Sequence, residues 1–412
     1  MLATARRTHG SASLLFIDLD NFKEVNDGFG HATGDELLAA VATRLRRVTR
    51  DTDTVARLGG DEFVVLVENG ALTDASGLLA ERIQDVLRPS FNLGGREYLV
   101  SASIGIATTS DGTAENLLQE ADVAMYKAKS SGKNCCVSFR PRMRHAAHAR
   151  LQLEMDLASA IHGGQLRVHY QPIFNLEHND ICGMEALVRW QHPKRGLLLP
   201  SEFIPLAEAS GRIMVDLGRY VLSEACNAAA GWHRLSACLD VAVNISARQL
   251  ASSGILNDVA SALTESGLDP ARLVLEVTET AMMHDPDAVV ARMTKLKSLG
   301  VRLSVDDFGT GYSSLASLRR FPVDVLKIDR SFVESISKSP EDASVVQTLV
   351  SLGRSLGLEV VAEGVELASQ LDAVREAGCN RAQGFLLGRP LDRDQLDALV
   401  ATLVRATSPL AG

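Results

Sequence analysis

The chain has 412 residues, 46% hydrophobic and 23% charged, a length and balance that imply two domains and exclude disordered, collagen-like and coiled-coil classes. With 51 acidic against 42 basic residues the net charge is −9, so no overall field holds a nucleic acid, and any phosphate ligand has to be gripped locally. Six scattered cysteines make no CxxC pair and no apolar run approaches the ~18 residues of a membrane span, which suits a cytoplasmic chain or the cytosolic part of a larger membrane-anchored sensor.

Leu14–Asp18 reads as a strand and Gly34–Arg46 as a helix, while Thr54–Leu58 and Phe63–Val67 flank Gly59-Gly60 as a hairpin would. Leu78–Leu87 is helical, Tyr98–Ala107 a strand and Ala114–Ala128 a helix, so residues 1–139 outline a small α/β sheet domain. Residues 140–150 are basic, lack an apolar period and read as a linker; Leu151–Ile161 follows as a helix closed by Gly163-Gly164. Eight apolar runs come next: Val168–Pro172, Met184–Val188, Val241–Asn244, Leu273–Val277, Leu303–Asp306, Val325–Ile328, Val360–Ala362 and Ala382–Phe385. Each run is read as followed by loop and helix, the outline of a (β/α)8 TIM-like barrel over residues 151–405.

Polar residues fall within or at the close of those runs: Glu185, Asn244, Glu276, Asp306, Asp307, Lys327, Glu363 and Gln383. A charge among buried β-branched residues is costly unless paired or metal-bound, and in a barrel such groups converge on the C-terminal mouth. Taken singly, each reads as a strand-end acid that caps the next helix or pairs with a neighbouring arginine. Taken together, several carboxylates in one mouth need cations to offset their repulsion. The oxygen donors, without Cys or His, favour hard ions, Mg2+ or Mn2+, and adjacent Asp306 and Asp307 suit a two-metal clamp on a phosphodiester. Lys327 reads as a group that steers water or offsets phosphate charge, or as a structural lysine paired with Asp324 and Asp329.

These motifs resemble the EAL family: Glu185-Ala186-Leu187 with Arg189, Asn244 in VNIS, Glu276 and Glu279 in EVTE, Asp306-Asp307-Phe308-Gly309, Lys327-Ile328-Asp329, Glu363-Gly364-Val365-Glu366 and Gln383-Gly384-Phe385. The resemblance implies a phosphodiesterase with two Mg2+ or Mn2+ ions per site, opening cyclic di-GMP to linear pGpG. It implies metal ligands at Glu185, Asn244, Glu276, Asp306, Asp307 and Glu363, and a catalytic Lys327 working with Glu363 and Glu279. Gln171, Arg189, Asp329 and Gln383 would lie along the substrate. Asp307–Leu318 resembles the family's loop that couples a homodimer contact to the metal site, braced by Glu279. Retention of every ligand favours an enzyme over a non-catalytic receptor.

In the first domain Asp18-Leu19-Asp20 closes a strand and Gly59-Gly60-Asp61-Glu62-Phe63 turns between two others. By itself such a turn is an ordinary hairpin with solvated acids. With Phe22–Asp27, Gly30-His31, Gly34–Glu36, Ser103–Ala107 and Tyr126–Lys129 it resembles the GGDEF family of diguanylate cyclases, which join two GTP molecules. That resemblance implies metal at Asp18 and Glu62, Asp61 at the reacting hydroxyl, guanine at Asn26 and Asp35, and phosphates at Lys129, Lys133 and the Phe22 and Lys23 N–H groups. Arg50 and Asp53 match the spacing of its product-inhibition site, or make a surface ion pair. The DxLTGLxNR segment and long helix that open family members do not stand before the first strand here. The expectation is therefore that one sheet face loses its cover, that synthesis is slight, and that the domain binds GTP or regulates the barrel.

Overall fold

The side-chain alternation of one central strand organises the first domain. This computed structural model describes residues 11–69, 75–109, 113–235, 237–283, 285–309 and 318–407. β1 (Ser11–Leu19) is buried along nearly its whole length. Successive residues of a strand face opposite sides. Leu15, Ile17 and Leu19 accordingly join Leu37, Val41, Leu45, Leu79 and Ile83, whereas Leu14 and Phe16 join Leu117, Ala121 and Met125. Helices His31–Val48 and Ala75–Leu87 cover one face and Ala114–Ser130 the other, so both faces are covered, contrary to the expectation of a bare one.

Around β1 stand β2 (Thr54–Gly59), β3 (Glu62–Asn69), β6 (Ala102–Thr109) and β7 (Cys136–Ser138), in the order β2-β3-β1-β6-β7; β4 (Phe91–Leu93) and β5 (Arg96–Tyr98) make a separate ribbon. The strand expected over Tyr98–Ala107 is thus two strands interrupted between Tyr98 and Ala102. Gly105 lets the Ala114–Ser130 helix approach closely, since a β-carbon there would lie 2.0 Å from the Ala121 carbonyl oxygen.

The chain divides into two compact units, 1–152 and 153–412. The basic stretch expected as a linker is helical: Pro141–His162 is one helix, with proline in its first turn, where no intrahelical N–H bond is lost.

In the second unit β8 (Leu166–Asn175), β9 (Asp180–His192), β11 (Asp240–Asn244), β12 (Leu273–Thr278), β13 (Arg302–Phe308), β14 (Val325–Ile328), β15 (Glu359–Ala362) and β16 (Arg381–Ala382) close a barrel; β10 (Gly196–Leu198) extends it at β9. Strands β9 and β11 to β16 run parallel, but β8 is antiparallel to both its neighbours. The expectation of a helix after every strand therefore fails at the first. A parallel crossover needs a dozen or more residues, and only 176–179 join β8 to β9, turned by Asn175 Oδ1, which accepts from the Glu177 and His178 N–H groups. The last strand is shorter than expected, Arg381–Ala382 rather than Ala382–Phe385.

Candidate active site at the barrel mouth

Three layers follow one another up the barrel interior. At the floor Asp240 accepts from Arg272, Arg302 and Arg381 at 3.1, 3.1 and 3.0 Å, and Glu359 binds Arg302 and Arg381. Above lies an apolar layer that includes Ile173, Ala242, Val274, Val325 and Val361. Two residues further along each parallel strand, one step of the strand period, come Asn244, Glu276, Lys327 and Glu363. On antiparallel β8 the step runs backwards, from Ile173 to Gln171, which pairs in register with Glu185.

Lys327 is the centre of this layer and only 2% exposed. Its Nζ lies 2.6 Å from Glu363 Oε1, 2.9 Å from Glu276 Oε2, 3.3 Å from Asp306 Oδ1 and 3.9 Å from Glu185 Oε2. The pairing with Asp324 and Asp329 is not seen: Asp324 takes Lys297 at 2.5 Å, and Asp329 caps the next helix through the Ser331 N–H. Glu185 is fixed from both sides, Oε1 accepting from Asn244 Nδ2 at 2.7 Å and Oε2 from Gln383 Nε2 at 2.6 Å. Gln383 Nε2 also donates to Gln171 Oε1, and Gln171 Nε2 to the Gly388 carbonyl. Arg189 is buried, and that burial lowers its pKa against the pull of Glu185.

Burial and mutual repulsion act together on the acids. The Glu363 carboxyl is pushed up to about 8, first by burial, with Asp306 and Glu185 adding to it against the pull of Lys327. Glu276 is raised for the same reasons, and Asp307 by burial and then Asp306. Burial opposes the charge on Lys327, but the four carboxylates around it outweigh that and keep it protonated.

Asp306 and Asp307 adjoin in a strand, so regular pleating would send them to opposite faces. The β13–β14 register shifts between Val305 and Phe308, and Asp307 takes a left-handed backbone at φ 54°. This bulge brings both carboxylates and Glu363 to one place, with ligand oxygens within 4.8 Å of one another. Glu276 Oε2 and Asp306 Oδ1, though in ion contact with Lys327, accept no aligned hydrogen bond. An all-oxygen, acid-rich set with such oxygens fits a hard divalent cation. Glu279, also buried, accepts from the Gly309 N–H at 2.8 Å. Residues 310–317 of the expected coupling loop lie outside the described residues. The mouth opens into a cavity of about 270 Å³ that Glu185, Asp306, Asp307, Asp329, Glu363 and Gln383 line together with Arg330, Glu366 and Phe385, which motif reading had left without a role.

In the first domain Asp18 and Glu62 are register partners across β1 and β3. Asp18 lies 2.7 Å from Lys129 Nζ, and burial raises its carboxyl despite that partner. Lys133 Nζ donates to Asn21 Oδ1 at 2.6 Å. Phe22–Phe29 is a short helix that sets Asn26 over Gly34, where a β-carbon would strike Asn26 Oδ1; neighbouring Asp35 lines a cavity of about 370 Å³ with Leu38, Arg57 and Phe63. Asp61 gives its carbonyl to the Leu19 N–H. Asp53 accepts from the Arg50 backbone N–H at 2.8 Å, making a local turn. Asp20, to which the motif gives no role of its own, accepts through its carboxylate from Ser101, Ser103 and the Asn134 N–H and so ties the end of β1 to its neighbours.

Residues 154–390 match the EAL domain family and residues 1–135 the diguanylate cyclase GGDEF domain family. The chain is 45% identical over 392 residues to the bifunctional diguanylate cyclase/cyclic di-GMP phosphodiesterase MucR of Pseudomonas aeruginosa, covering 94% of this chain and 57% of that protein. It is 43% identical over 383 residues to the cyclic di-GMP phosphodiesterase NbdA of the same organism, covering 92% and 48%. The chain thus spans about half the length of these relatives. A solved structure of the PaMucR phosphodiesterase in complex with c-di-GMP superposes with a TM-score of 0.57 at 46% identity, covering 60% of this chain and 99% of that one. Among the described residues no helix is long and apolar enough to cross a membrane.

Proposed function

The chain belongs to the EAL family, with a GGDEF domain in tandem ahead of its EAL domain, and from that premise we propose that its barrel hydrolyses cyclic di-GMP to linear pGpG with Mg2+ or Mn2+. The observation that carries this reading is the mouth itself, where four carboxylates meet one buried lysine beside a bulged Asp-Asp pair.

Glu185, Asn244, Glu276, Asp306, Asp307 and Glu363 would hold two divalent ions, which supply an activated water and offset phosphate charge. Gln171, Gln383 and Arg189, with Asp329 at the rim, bind and orient the dinucleotide. Lys327, held protonated by its neighbours, keeps an ammonium at the phosphodiester as negative charge develops. Glu363, 2.6 Å from Lys327 Nζ, would share the site with it as the second catalytic group. Glu279 holds the chain after Asp307 through Gly309.

The GGDEF domain, in the same proposal, binds GTP through Asn26, Asp35, Lys129 and Lys133 and regulates the barrel, with Asp18 and Glu62 at a metal. A homodimer through the EAL domain belongs to this reading too. The bifunctional activity named for MucR favours a second one, in which the domain also joins GTP. One assay separates them: the chain with Mg2+ or Mn2+ is fed cyclic di-GMP and GTP separately, and Glu185→Ala is fed GTP so that product is not consumed. Conversion of cyclic di-GMP to pGpG without accumulation from GTP is expected; no conversion would refute the proposal, and accumulation in the mutant would establish the second reading.

A further inference from the structure

Asn244 ends its strand on a loop clamped from three directions. Its Nδ2 donates to Glu185 Oε1 at 2.7 Å, and the next residue, Ile245, donates its N–H to the Glu276 carbonyl at 2.8 Å. Ser246 then opens the helix Ala247–Ala251 in a reciprocal cap: Gln249 Oε1 accepts from the Ser246 N–H at 3.2 Å and hydroxyl at 3.0 Å, while Ser246 Oγ accepts from the Gln249 N–H at 3.2 Å. Gln249 is only 3% exposed.

The burial is made possible by a glycine on another helix. Gly218 lies inside Arg212–Arg234, and a β-carbon there would fall 1.9 Å from Gln249 Nε2 and 2.3 Å from its Cδ. The amide adjoins a cavity of about 270 Å³ that Gly218, Asn244, Ser246 and Gln249 help line, and moving into it away from a methyl group at 218 would draw Gln249 Oε1 off the Ser246 N–H and hydroxyl and so dislodge the cap. Glycine weakens a helix interior relative to alanine, and here the bare backbone makes the room that the amide occupies.

We propose that Gly218 and Gln249 are positioning residues for Asn244, holding its loop so that its side chain stays on Glu185 at the mouth. This rests on the reading of Asn244 as a metal ligand given above. Residues that orient a ligand without touching the metal are worth about 10- to 100-fold in metal affinity or activity.

The test uses the intact chain with Gly218→Ala, Gln249→Ala and the double variant. Mn2+ affinity is followed by calorimetry, cyclic di-GMP turnover by chromatography, and protection of the Ile245 and Ser246 amides by hydrogen exchange. Gly218→Ala is expected to weaken Mn2+ binding and lower kcat by about 10-fold or more, with KM for the dinucleotide little changed. It should also lower the melting temperature, opposite in sign to an ordinary glycine-to-alanine change in a helix. The double variant should be no worse than Gln249→Ala alone, because the added methyl then meets nothing. Wild-type Mn2+ affinity and kcat in Gly218→Ala, or additive losses in the double variant, would overturn the proposal. Should the wild-type chain neither bind Mn2+ nor cleave cyclic di-GMP, the reading of the mouth falls instead. Exchange then decides the positioning, unchanged protection of Ile245 and Ser246 in Gly218→Ala counting against it.

Discussion

The Glu279 carboxylate accepts the Gly309 backbone N–H at 2.8 Å, two residues beyond the left-handed Asp307. A strained aspartate persists only where its surroundings over-determine it, and this bond is one such determinant. Glu279→Ala should therefore lower turnover by about 10- to 100-fold, in the range for residues that orient a metal ligand. Glu279→Gln, whose amide oxygen still accepts, should recover part of the loss. Steady-state kinetics on both variants, with circular dichroism to verify folding, checks this; equal kcat in all three proteins would remove the role.

Lys327 is, among the described residues, the one cation in ion contact with all four of Glu185, Glu276, Asp306 and Glu363. Lys327→Ala should cost about 100- to 10,000-fold in kcat, the range of a positioned charged or proton-transferring group. Cyclic di-GMP binding should remain measurable, because Gln171, Arg189 and Gln383 stay in place. A rate near that of the unaltered chain would refute this.

Metal dependence follows from the donor set. EDTA should abolish turnover and Mg2+ or Mn2+ restore it, while Ca2+, which prefers more ligands at longer distances, should inhibit. Glu185→Ala and Asp306→Ala should each leave no measurable hydrolysis. Equal turnover in EDTA would contradict the two-metal reading.

Asp240 holds three arginines at the barrel floor, on the opposite side of the apolar layer from the mouth. Removing Asp240 leaves Arg302 and Arg381 with Glu359 and the part-exposed Arg272 with water, so the loss is about 1–3 kcal/mol, below the ~3–5 kcal/mol of a fully buried pair. Asp240→Ala should show that loss in urea denaturation while the folded fraction keeps the kcat of the parent chain. A change below ~1 kcal/mol, the worth of an exposed pair, would show the network to be solvent-screened.

Burial pushes the Cys226 and Cys379 thiols up to about 12. The unfolded chain releases these protons near the ordinary thiol value of 9.0, the folded chain only near 12. Between those values the unfolded state binds fewer protons, so stability is complete below pH 9 and falls as pH rises toward 12. Thermal melts at pH 8 and pH 10.5 should differ accordingly, and less so in Cys226→Ala/Cys379→Ala. At pH 8 the thiolate fraction of such groups is on the order of 10⁻⁴, so iodoacetamide should modify exposed Cys238 first.

Local sequence determined much of this molecule. The apolar run Leu14–Ile17 marked β1 as a strand, and apolar runs closed by polar residues marked the barrel and most of its mouth, because burying an acid or a lysine requires a partner. What the runs could not convey was pairing. The first barrel strand runs antiparallel because four residues cannot make a crossover, and that reversal puts Gln171 beside Glu185. Strand alternation would have parted Asp306 from Asp307; a register shift against β14, a long-range partner, unites them. Lys327 has near neighbours Asp324 and Asp329 in sequence, yet pairs with Glu185, Glu276, Asp306 and Glu363. Gly218 looks like any helix glycine until Gln249, 31 residues on, is seen against it. Propensity and hydrophobic period act within a few residues and are written in the chain, whereas strand register and the fit of one side chain against a distant backbone exist only once the barrel has closed.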